Sequence, residues 1–295
     1  MNLSILLSNL RGFLAKSFLP RKKWKTYEKW ASNGYVHNPT VSFVIQSHDK
    51  SAEVMLLVTK LREYASAEII VIDDGSTSAH SKRLVGSLTR GNEFVLRMND
   101  LYEVVSYDRA IRFARGRYVV LMQDDDGFDD LRWVDEAVSL FEKYPKMVLL
   151  GGRDGLRYDS FSSEGIKREL VALRNKETAS GFQFVQTINR APMFIHRALF
   201  LDHLEHIDFS YAPFQFDDVE LCLRAWQKDL QVGWYPVWFY SLSQGGMRIG
   251  NRGLGQEQAK KNTEKLNQTY RAGDLEQINR QVEEANQLLK TNQKK

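Results

Sequence analysis

Carboxylates follow two of the most hydrophobic stretches of this sequence. An Asp-Asp pair at 73–74 follows the aliphatic residues 69–72, and an Asp triplet at 124–126 comes just after residues 118–122. Such runs are typical of strands buried on both faces of a parallel sheet, whose carboxyl ends open onto the ligand crevice of α/β proteins. Clustered carboxylates repel one another unless a cation joins them. The pattern therefore predicts a site for a divalent metal and a polar, phosphorylated ligand.

The segments around these acids alternate between strand and helix patterns. This alternation predicts a parallel sheet with right-handed crossovers. Residues 153–180 are polar without a clear period, which predicts a loop over the site. The predicted strands are 41–45, 69–72, 93–97, 118–122, 147–150, 183–190 and 232–238, and the predicted helices are 51–65, 78–90, 103–115, 131–144, 197–204, 217–228 and 256–290.

Length and composition are those of an ordinary globular protein with one large core. The chain has 295 residues, of which 43% are hydrophobic and 26% are charged. We divide it into a basic amphipathic segment at 1–38, an α/β domain at 39–250 and a polar helical appendage at 251–295. The single cysteine, Cys222, excludes an intrachain disulfide, so a reducing cytosol is compatible with the sequence.

The basic character of the chain is confined to its amino-terminal segment. Residues 1–30 hold seven of the 41 Lys and Arg residues but only one of the 37 acidic residues, Glu28. The rest of the chain therefore carries slightly more acidic than basic residues, which argues against a nucleic-acid-binding body.

Residues 3–19 carry apolar side chains at roughly helical spacing, interrupted by Arg11 and Lys16 and followed by a basic cluster at 21–23. This pattern predicts a helix that lies in an anionic membrane surface, and hence a cytoplasmic protein peripheral to the inner face of the cell membrane. Packing of the apolar stripe on the domain or on a partner subunit is an alternative. A secretory signal is a weaker one, because its positive charge would precede the apolar stretch.

Four motifs together resemble family 2 glycosyltransferases, over residues 40–245. After a first strand with a polar end come Val-Ile-Asp-Asp-Gly-Ser at 71–76, Ala-Arg-Gly-Arg-Tyr at 114–118 leading into Gln-Asp-Asp-Asp at 123–126, and Phe-Asp-Asp-Val-Glu-Leu-Cys-Leu-Arg at 216–224. The resemblance implies the GT-A fold, a Rossmann-like, mostly parallel sheet with helices on both faces. It also implies inverting transfer from a UDP-, GDP- or dTDP-sugar to a hydroxyl of a glycan or lipid-linked acceptor, as in surface polysaccharide assembly.

The ends of the first two strands are implied to hold the nucleoside base of the donor. Carried over to this sequence, Ser47, His48 and Asp73 line a uracil-like pocket, in which a carboxylate accepts the base N–H. Asp74 is placed with them, although an Asp before glycine also commonly caps a turn.

The acidic triplet is implied to carry the metal and to face the sugar diphosphate. Asp125 is the expected direct ligand of Mn²⁺ or Mg²⁺, and Asp124 faces the ribose or the waters of the metal. The metal bridges the diphosphate and stabilises the departing nucleotide. Arg248, in a glycine-bearing segment, is a candidate for meeting phosphate charge.

An acidic pair at the start of a helix is implied to supply the general base. The base must lie beside the acceptor hydroxyl, on the face opposite the leaving nucleotide, so that a single displacement inverts the anomeric carbon. Asp218 is the expected base, and Asp217 contacts the acceptor or supports Asp218. Acidic residues at a helix start are also favoured by the helix dipole alone.

Three positions depart from the family pattern and keep other functions open. Gln123 replaces the first metal-motif Asp, Tyr107 begins a pair that is often Arg-Asn, and Ser241 or Ser243 stands where a His often follows the last strand. These changes favour a module that binds sugar nucleotides or glycans without turnover, whereas the intact pair at 217–218 favours an enzyme. A nucleotidyltransferase is a third reading, but no glycine-rich basic loop follows the first strand.

Overall fold

The computed structural model describes residues 32–162, 165–173, 181–190, 192–242 and 252–292. The predicted amphipathic helix before residue 32 lies outside these residues, as do Arg248 and Ser243.

An eight-stranded, mostly parallel sheet forms the centre of the protein. The strands of the chain are β1 (Val41–Ser47), β2 (Ala67–Asp74), β3 (Glu93–Met98), β4 (Tyr118–Gln123), β5 (Asp126–Gly127), β6 (Met147–Gly151), β7 (Asp154–Ser162), β8 (Gly165–Leu173), β9 (Gln183–Phe184), β10 (Thr187–Ile188), β11 (Met193–His196), β12 (Gln231–Trp234) and β13 (Tyr240–Ser241). The central sheet has the order β3-β2-β1-β4-β11-β6-β12-β9, in which β11 is antiparallel to both of its neighbours and β9 is antiparallel to β12. The parallel sheet predicted from the hydrophobic runs is confirmed.

Helices cover both faces of this sheet. They are α1 (Ser51–Leu61), α2 (Ser78–Ser87), α3 (Tyr102–Phe113), α4 (Arg132–Lys143), α5 (Arg197–Leu199) with a π-helical continuation at Phe200–Leu204, α6 (Asp217–Gln227), α7 (Arg252–Thr269) and α8 (Ala272–Asn292). All seven residues of β1 are buried, as expected for a strand in the middle of a covered sheet. Phe43 of β1 packs edge-on against Tyr64 and Trp133 on one of these faces.

The segment at 153–180, predicted as a loop, instead contains the antiparallel hairpin of β7 and β8. Leu156, Tyr158 and Phe161 are buried along β7, but the register shifts between Tyr158 and Ser160. A bulge of this kind breaks the two-residue alternation by which a half-buried strand is recognised. Most of β8 is exposed, and its apolar residues, such as Leu170 and Val171, are adjacent rather than alternating with polar ones.

The two carboxy-terminal helices pack on the α/β domain through a small apolar surface. Leu266 and Tyr270 of the α7 end, together with Leu275 and Ile278 of α8, are buried. Asn286 of α8 both donates to and accepts from the backbone of Phe184. Within the described residues, no helix is long and apolar enough to cross a membrane.

Candidate active site

The carboxyl ends of β1, β2 and β4 lie side by side at one edge of the sheet. Ser47 is the register partner of Asp73, and Gln46 is the partner of Gln123. Because these strands are parallel, the polar residues that follow them gather at the same edge. The structure thus brings together the predicted site residues that follow β1, β2 and β4.

Asp73 is a buried carboxylate held at the end of β2. One of its oxygens, Oδ2, accepts hydrogen bonds from Arg97 at 2.7 Å and from the Ser81 hydroxyl. Burial raises the pKa of Asp73, but hydrogen bonds from Ser76, Ser81 and Arg97 outweigh burial and hold that pKa below its usual range. Its other oxygen, Oδ1, and the Ser47 hydroxyl are buried without a hydrogen-bond partner in the described part of the chain. Two unsatisfied polar atoms at neighbouring strand ends are suited to a ligand.

Asp74 is fully engaged in holding local structure. Its carboxylate accepts the backbone N–H of Leu101 at 2.9 Å and of Tyr102 at 2.8 Å, at the start of α3. The Nδ1 atom of His48 lies 2.7 Å from the Asp74 carbonyl oxygen. Asp74 therefore fixes the entry of α3 and the position of His48, while its predicted contact with the nucleotide stays a prediction.

Asp124 is partly buried beneath the loop that follows β1. It accepts the backbone N–H of His48 at 3.2 Å and lies 3.3 Å from the ammonium group of Lys50. Burial raises the pKa of Asp124, and Lys50 and the His48 amide oppose this rise. Sequence reasoning missed Lys50, which follows the first strand by only three residues.

The two remaining carboxylates of the triplet differ in environment. Asp125 is half-buried and accepts a hydrogen bond from the Ser241 hydroxyl of β13 at 2.7 Å. Asp126 is buried and accepts the backbone N–H of Gln123 at 2.8 Å. Burial raises the pKa of Asp126 to about 7. Asp125 is therefore the accessible carboxylate of the pair, and Asp126 shapes the turn that presents it.

The carboxylate oxygens at this edge of the sheet fit a metal ion that is also coordinated by a diphosphate. No group of three His, Cys, Asp or Glu side chains suited to a metal occurs in the described ranges. Mg²⁺ commonly binds through one or two carboxylates, with substrate phosphates and water completing its coordination. Asp125, with Asp124 before it, supplies hard oxygen ligands of this kind.

The pair at the start of α6 is divided between a buried and an accessible carboxylate. Asp217 is buried and forms an ion pair of 2.5 Å with Arg190, which also lies 3.3 Å from Glu103. Burial raises the pKa of Asp217, and Arg190 opposes that rise. Burial alone would lower the pKa of Arg190, but its two acidic partners raise it, so the guanidinium stays charged. Sequence reasoning missed Arg190, which lies in a short connection without a motif.

Asp218 is the carboxylate that faces a cavity. The cavity has a volume of about 320 Å³ and is also lined by Gln123, Arg153 and Arg190. A second cavity of about 70 Å³, lined by Asp125 and Ser241, shares Gln123 and Arg153 with the first. The candidate base and the candidate metal ligand thus face two adjoining cavities.

The backbone before α6 is held in an unusual conformation by the carboxy-terminal helices. Gln215 and Phe216 have φ angles of 82° and 62°, a left-handed conformation that costs free energy for residues other than glycine. The buried amide of Asn262, on α7, donates to three carbonyls of this loop, those of Tyr211, Phe214 and Gln215, at 3.0, 3.0 and 2.7 Å. Asn262 therefore positions the acidic pair without being part of any motif.

We expect Asn262→Ala to destabilise the protein and to lower turnover. The change leaves buried carbonyls without a donor, which costs about 1–3 kcal/mol. Thermal unfolding and turnover measurements would show the loss. Asn267→Ala makes the same chemical change on the same helix at a residue without these contacts, and it should behave like the wild type. Equal melting temperatures and turnover for the two variants would contradict the positioning role.

Comparisons with known proteins agree with this architecture. The sequence matches the family described as "Glycosyl transferase family 2" over residues 42–223. Among curated proteins, none matches the sequence significantly.

Solved structures similar to this one include several in complex with sugar nucleotides. GalNAc-T7 with UDP, GalNAc and Mn²⁺ is 18% identical with a TM-score of 0.56, over 68% of this chain and 43% of that chain. The mannosyltransferase PcManGT from Pyrobaculum calidifontis, in complex with GDP-Man and Mn²⁺, is 12% identical with a TM-score of 0.51, over 76% and 65% of the two chains. S. aureus TarS in complex with UDP-GlcNAc is 14% identical with a TM-score of 0.52, over 72% and 60%. The matches span less than two thirds of each of these structures, and at such identities they show a common fold.

Proposed function

The chain belongs to glycosyl transferase family 2, and from this premise we propose an inverting, metal-dependent transfer of a sugar from a nucleoside diphosphate to an acceptor hydroxyl. The observation that carries the proposal is the pair of adjoining cavities. Asp218 lines one and Asp125 lines the other, while Gln123 and Arg153 line both. A donor bound along the strand ends would therefore present its anomeric carbon toward Asp218.

The unsatisfied atoms at the ends of β1 and β2 support base recognition there. Asp73 Oδ1 is a buried acceptor, and the Ser47 hydroxyl beside it either donates or accepts. A nucleobase offers both N–H donors and carbonyl acceptors along its edge. Arg97 keeps Asp73 ionised, so that the carboxylate accepts rather than donates. His48 and Lys50 follow in the loop that borders this pocket.

Asp125 would hold the metal, with Asp124 close behind it. When bound, Mn²⁺ or Mg²⁺ neutralises the diphosphate and stabilises the charge that develops on the leaving nucleotide. Ser241 orients the Asp125 carboxylate through its hydrogen bond. Arg153 lines this cavity as well as the cavity that contains Asp218.

Asp218 acts as the general base. Its carboxylate takes the proton of the acceptor hydroxyl, the hydroxyl oxygen bonds to the anomeric carbon, and the nucleoside diphosphate leaves with the electron pair of the broken C–O bond. Asp217 is unsuited to this role, because Arg190 and burial enclose it. Attack from the side opposite the nucleotide inverts the configuration.

A donor screen tests the proposed function. Nucleotide release and protein melting would be followed with UDP-, GDP- and dTDP-sugars in the presence of Mn²⁺ and again with EDTA. One class of donor should stabilise the protein in a metal-dependent manner and release nucleotide when an acceptor is present. Absence of stabilisation by every nucleotide would contradict the proposal.

The proposal also covers the acceptor and the place in the cell where the protein meets it. We propose a glycan or lipid-linked acceptor of surface polysaccharide assembly, approached by a cytoplasmic enzyme that rests on the inner face of the cell membrane. Support comes from the apolar stripe at 3–19 and the basic cluster at 21–23.

We expect deletion of residues 1–24 to release the protein from anionic liposomes, because it removes both the apolar stripe and the basic cluster. Turnover with a soluble acceptor should remain largely intact. Co-sedimentation at low salt measures the release, with neutral liposomes as the control for charge. Equal sedimentation of the truncated and full-length proteins would show that the segment is not the anchor.

A further inference from the structure

Two arginines with no carboxylate partner line the cavity of the candidate base. Arg153 follows β6, and Arg168 lies on the exposed strand β8 of the hairpin. In the part of the chain that the structure describes, neither guanidinium lies within ion-pair distance of a carboxylate. The neighbouring Arg157 differs, because it is paired with both Asp159 and Glu169. Asp159 and Glu169 are thus engaged by Arg157, whereas Arg168 lines the cavity.

The pairing of the hairpin strands explains this separation. Arg157 is the register partner of Glu169, and Tyr158 is the partner of Arg168. Because side chains alternate between the two faces of a strand, Tyr158 and Arg168 share the face that lines the cavity. Tyr158 forms a hydrogen bond with Arg168. Asp218, Tyr158 and Arg168 all line the cavity.

A third arginine of this wall, Arg190, is already compensated by the carboxylates of Asp217 and Glu103. Arg190 is almost completely buried, and its Nη1 atom has no hydrogen-bond partner among the described residues, although the same side chain is paired with Asp217 through Nη2. The acidic residues of the lining are Asp218, which serves as the base, and Asp154, which accepts a hydrogen bond from the Asn189 amide at 3.1 Å.

From this arrangement we infer that the acceptor is anionic, a sugar or polyol whose phosphate or carboxylate group is held by Arg168 and Arg153 while its hydroxyl lies at Asp218. The inference rests on the proposed function, since it names the substrate class of the same site. Arginine presents two N–H donors that match a phosphate or carboxylate, and such charge-assisted contacts are stronger than neutral ones. A neutral acceptor would leave the Arg168 guanidinium without a carboxylate or phosphate partner in the bound complex.

Binding of matched sugars to the full-length protein tests the inference. Glucose, glucose 6-phosphate and glucuronate share a ring and hydroxyl groups and differ in charge. With UDP and Mn²⁺ present, we expect one of the two anions to bind at least about tenfold more tightly than glucose, as a hydrogen bond to a charged group predicts. Calorimetry or ligand-observed NMR provides the dissociation constants. Equal affinity for glucose and both anions would overturn the inference.

A pair of variants locates the anion. Arg168→Gln should reduce the preference for the anion to within about twofold. Lys167→Gln removes the same charge from the adjacent exposed position of β8, outside the cavity lining, and should keep the preference. Both positions are exposed, so neither change threatens folding. An equal preference in the two variants would place the anion elsewhere and overturn the inference.

Competition with the nucleotide separates an acceptor anion from a donor phosphate. If the arginines serve the acceptor, saturating UDP with Mn²⁺ leaves the sugar anion bound. Displacement of the anion by UDP would assign the arginines to the donor diphosphate and would overturn the inference. Binding of UDP itself, measured in the same samples, reports on the proposed function separately, because it depends on the strand-end pocket and not on Arg168.

Discussion

Replacing Asp218 by asparagine should lower turnover about 10²–10⁴-fold, the usual contribution of a positioned general base. Asparagine keeps the size of the side chain and removes its affinity for a proton. Donor binding should hardly change, because the proposed nucleotide site lies at the ends of β1, β2 and β4 and does not include α6. A loss confined to kcat would place Asp218 in the transition state rather than in ground-state binding.

Steady-state kinetics and donor titration of the same preparation measure these two effects. Asp202→Asn removes an equal charge at an exposed position and serves as the matched control, with turnover close to that of the wild type. Near-normal turnover in Asp218→Asn would show that Asp218 is not the general base. Attention would then move to Asp217, despite its enclosure by Arg190.

Replacing Asp125 by alanine should abolish metal-dependent donor binding. The structure leaves Asp125 as the accessible carboxylate of the triplet, since Asp126 is buried and Asp124 is engaged with Lys50. Loss of even a supporting residue of a metal site costs about 10–100-fold in affinity, and loss of a direct ligand should cost at least as much. The affinity for donor with Mn²⁺ should therefore fall to the value measured with EDTA.

Calorimetric titration of a nucleotide sugar, with and without EDTA, provides both values. Asp129→Ala, at an exposed acidic residue four positions further along the chain, should keep the metal dependence of the wild type. The assignment of Asp125 as ligand fails if its alanine variant still binds donor more tightly with Mn²⁺ than with EDTA.

The sequence was sufficient to predict the parallel strands of the sheet and the edge at which the acids gather, but it did not predict the antiparallel strand β11. Long aliphatic runs such as 69–72 predict buried parallel strands, and the acids that follow each run must then share one edge. The hairpin of β7 and β8 was missed, because its bulge and its exposed second strand remove the alternation that identifies a strand.

The different environments of adjacent acidic residues were not predictable from the sequence. Asp217 and Asp218 occupy consecutive positions of one helix but differ in burial and in ion pairing. The difference comes from Arg190, 27 positions earlier, which pairs with Asp217 and not with Asp218. Asp74 likewise follows the strand pattern of a ligand-binding residue, yet the amides of Leu101 and Tyr102 engage its carboxylate. Such tertiary partners leave no mark on the local sequence.

The hydrogen bonds from Asn262 to the loop before α6 have a consequence for the order in which parts of the protein fold during synthesis. Synthesis proceeds from the amino terminus, and domains generally fold in that order. Asn262 is added 47 residues after Gln215, whose carbonyl it binds, and after every strand of the central sheet. A nascent chain would thus complete the strand ends proposed to bind nucleotide first, and would position Asp218, the proposed base, only when α7 emerges from the ribosome. Under the proposed function, the ability to bind donor would precede the ability to transfer sugar.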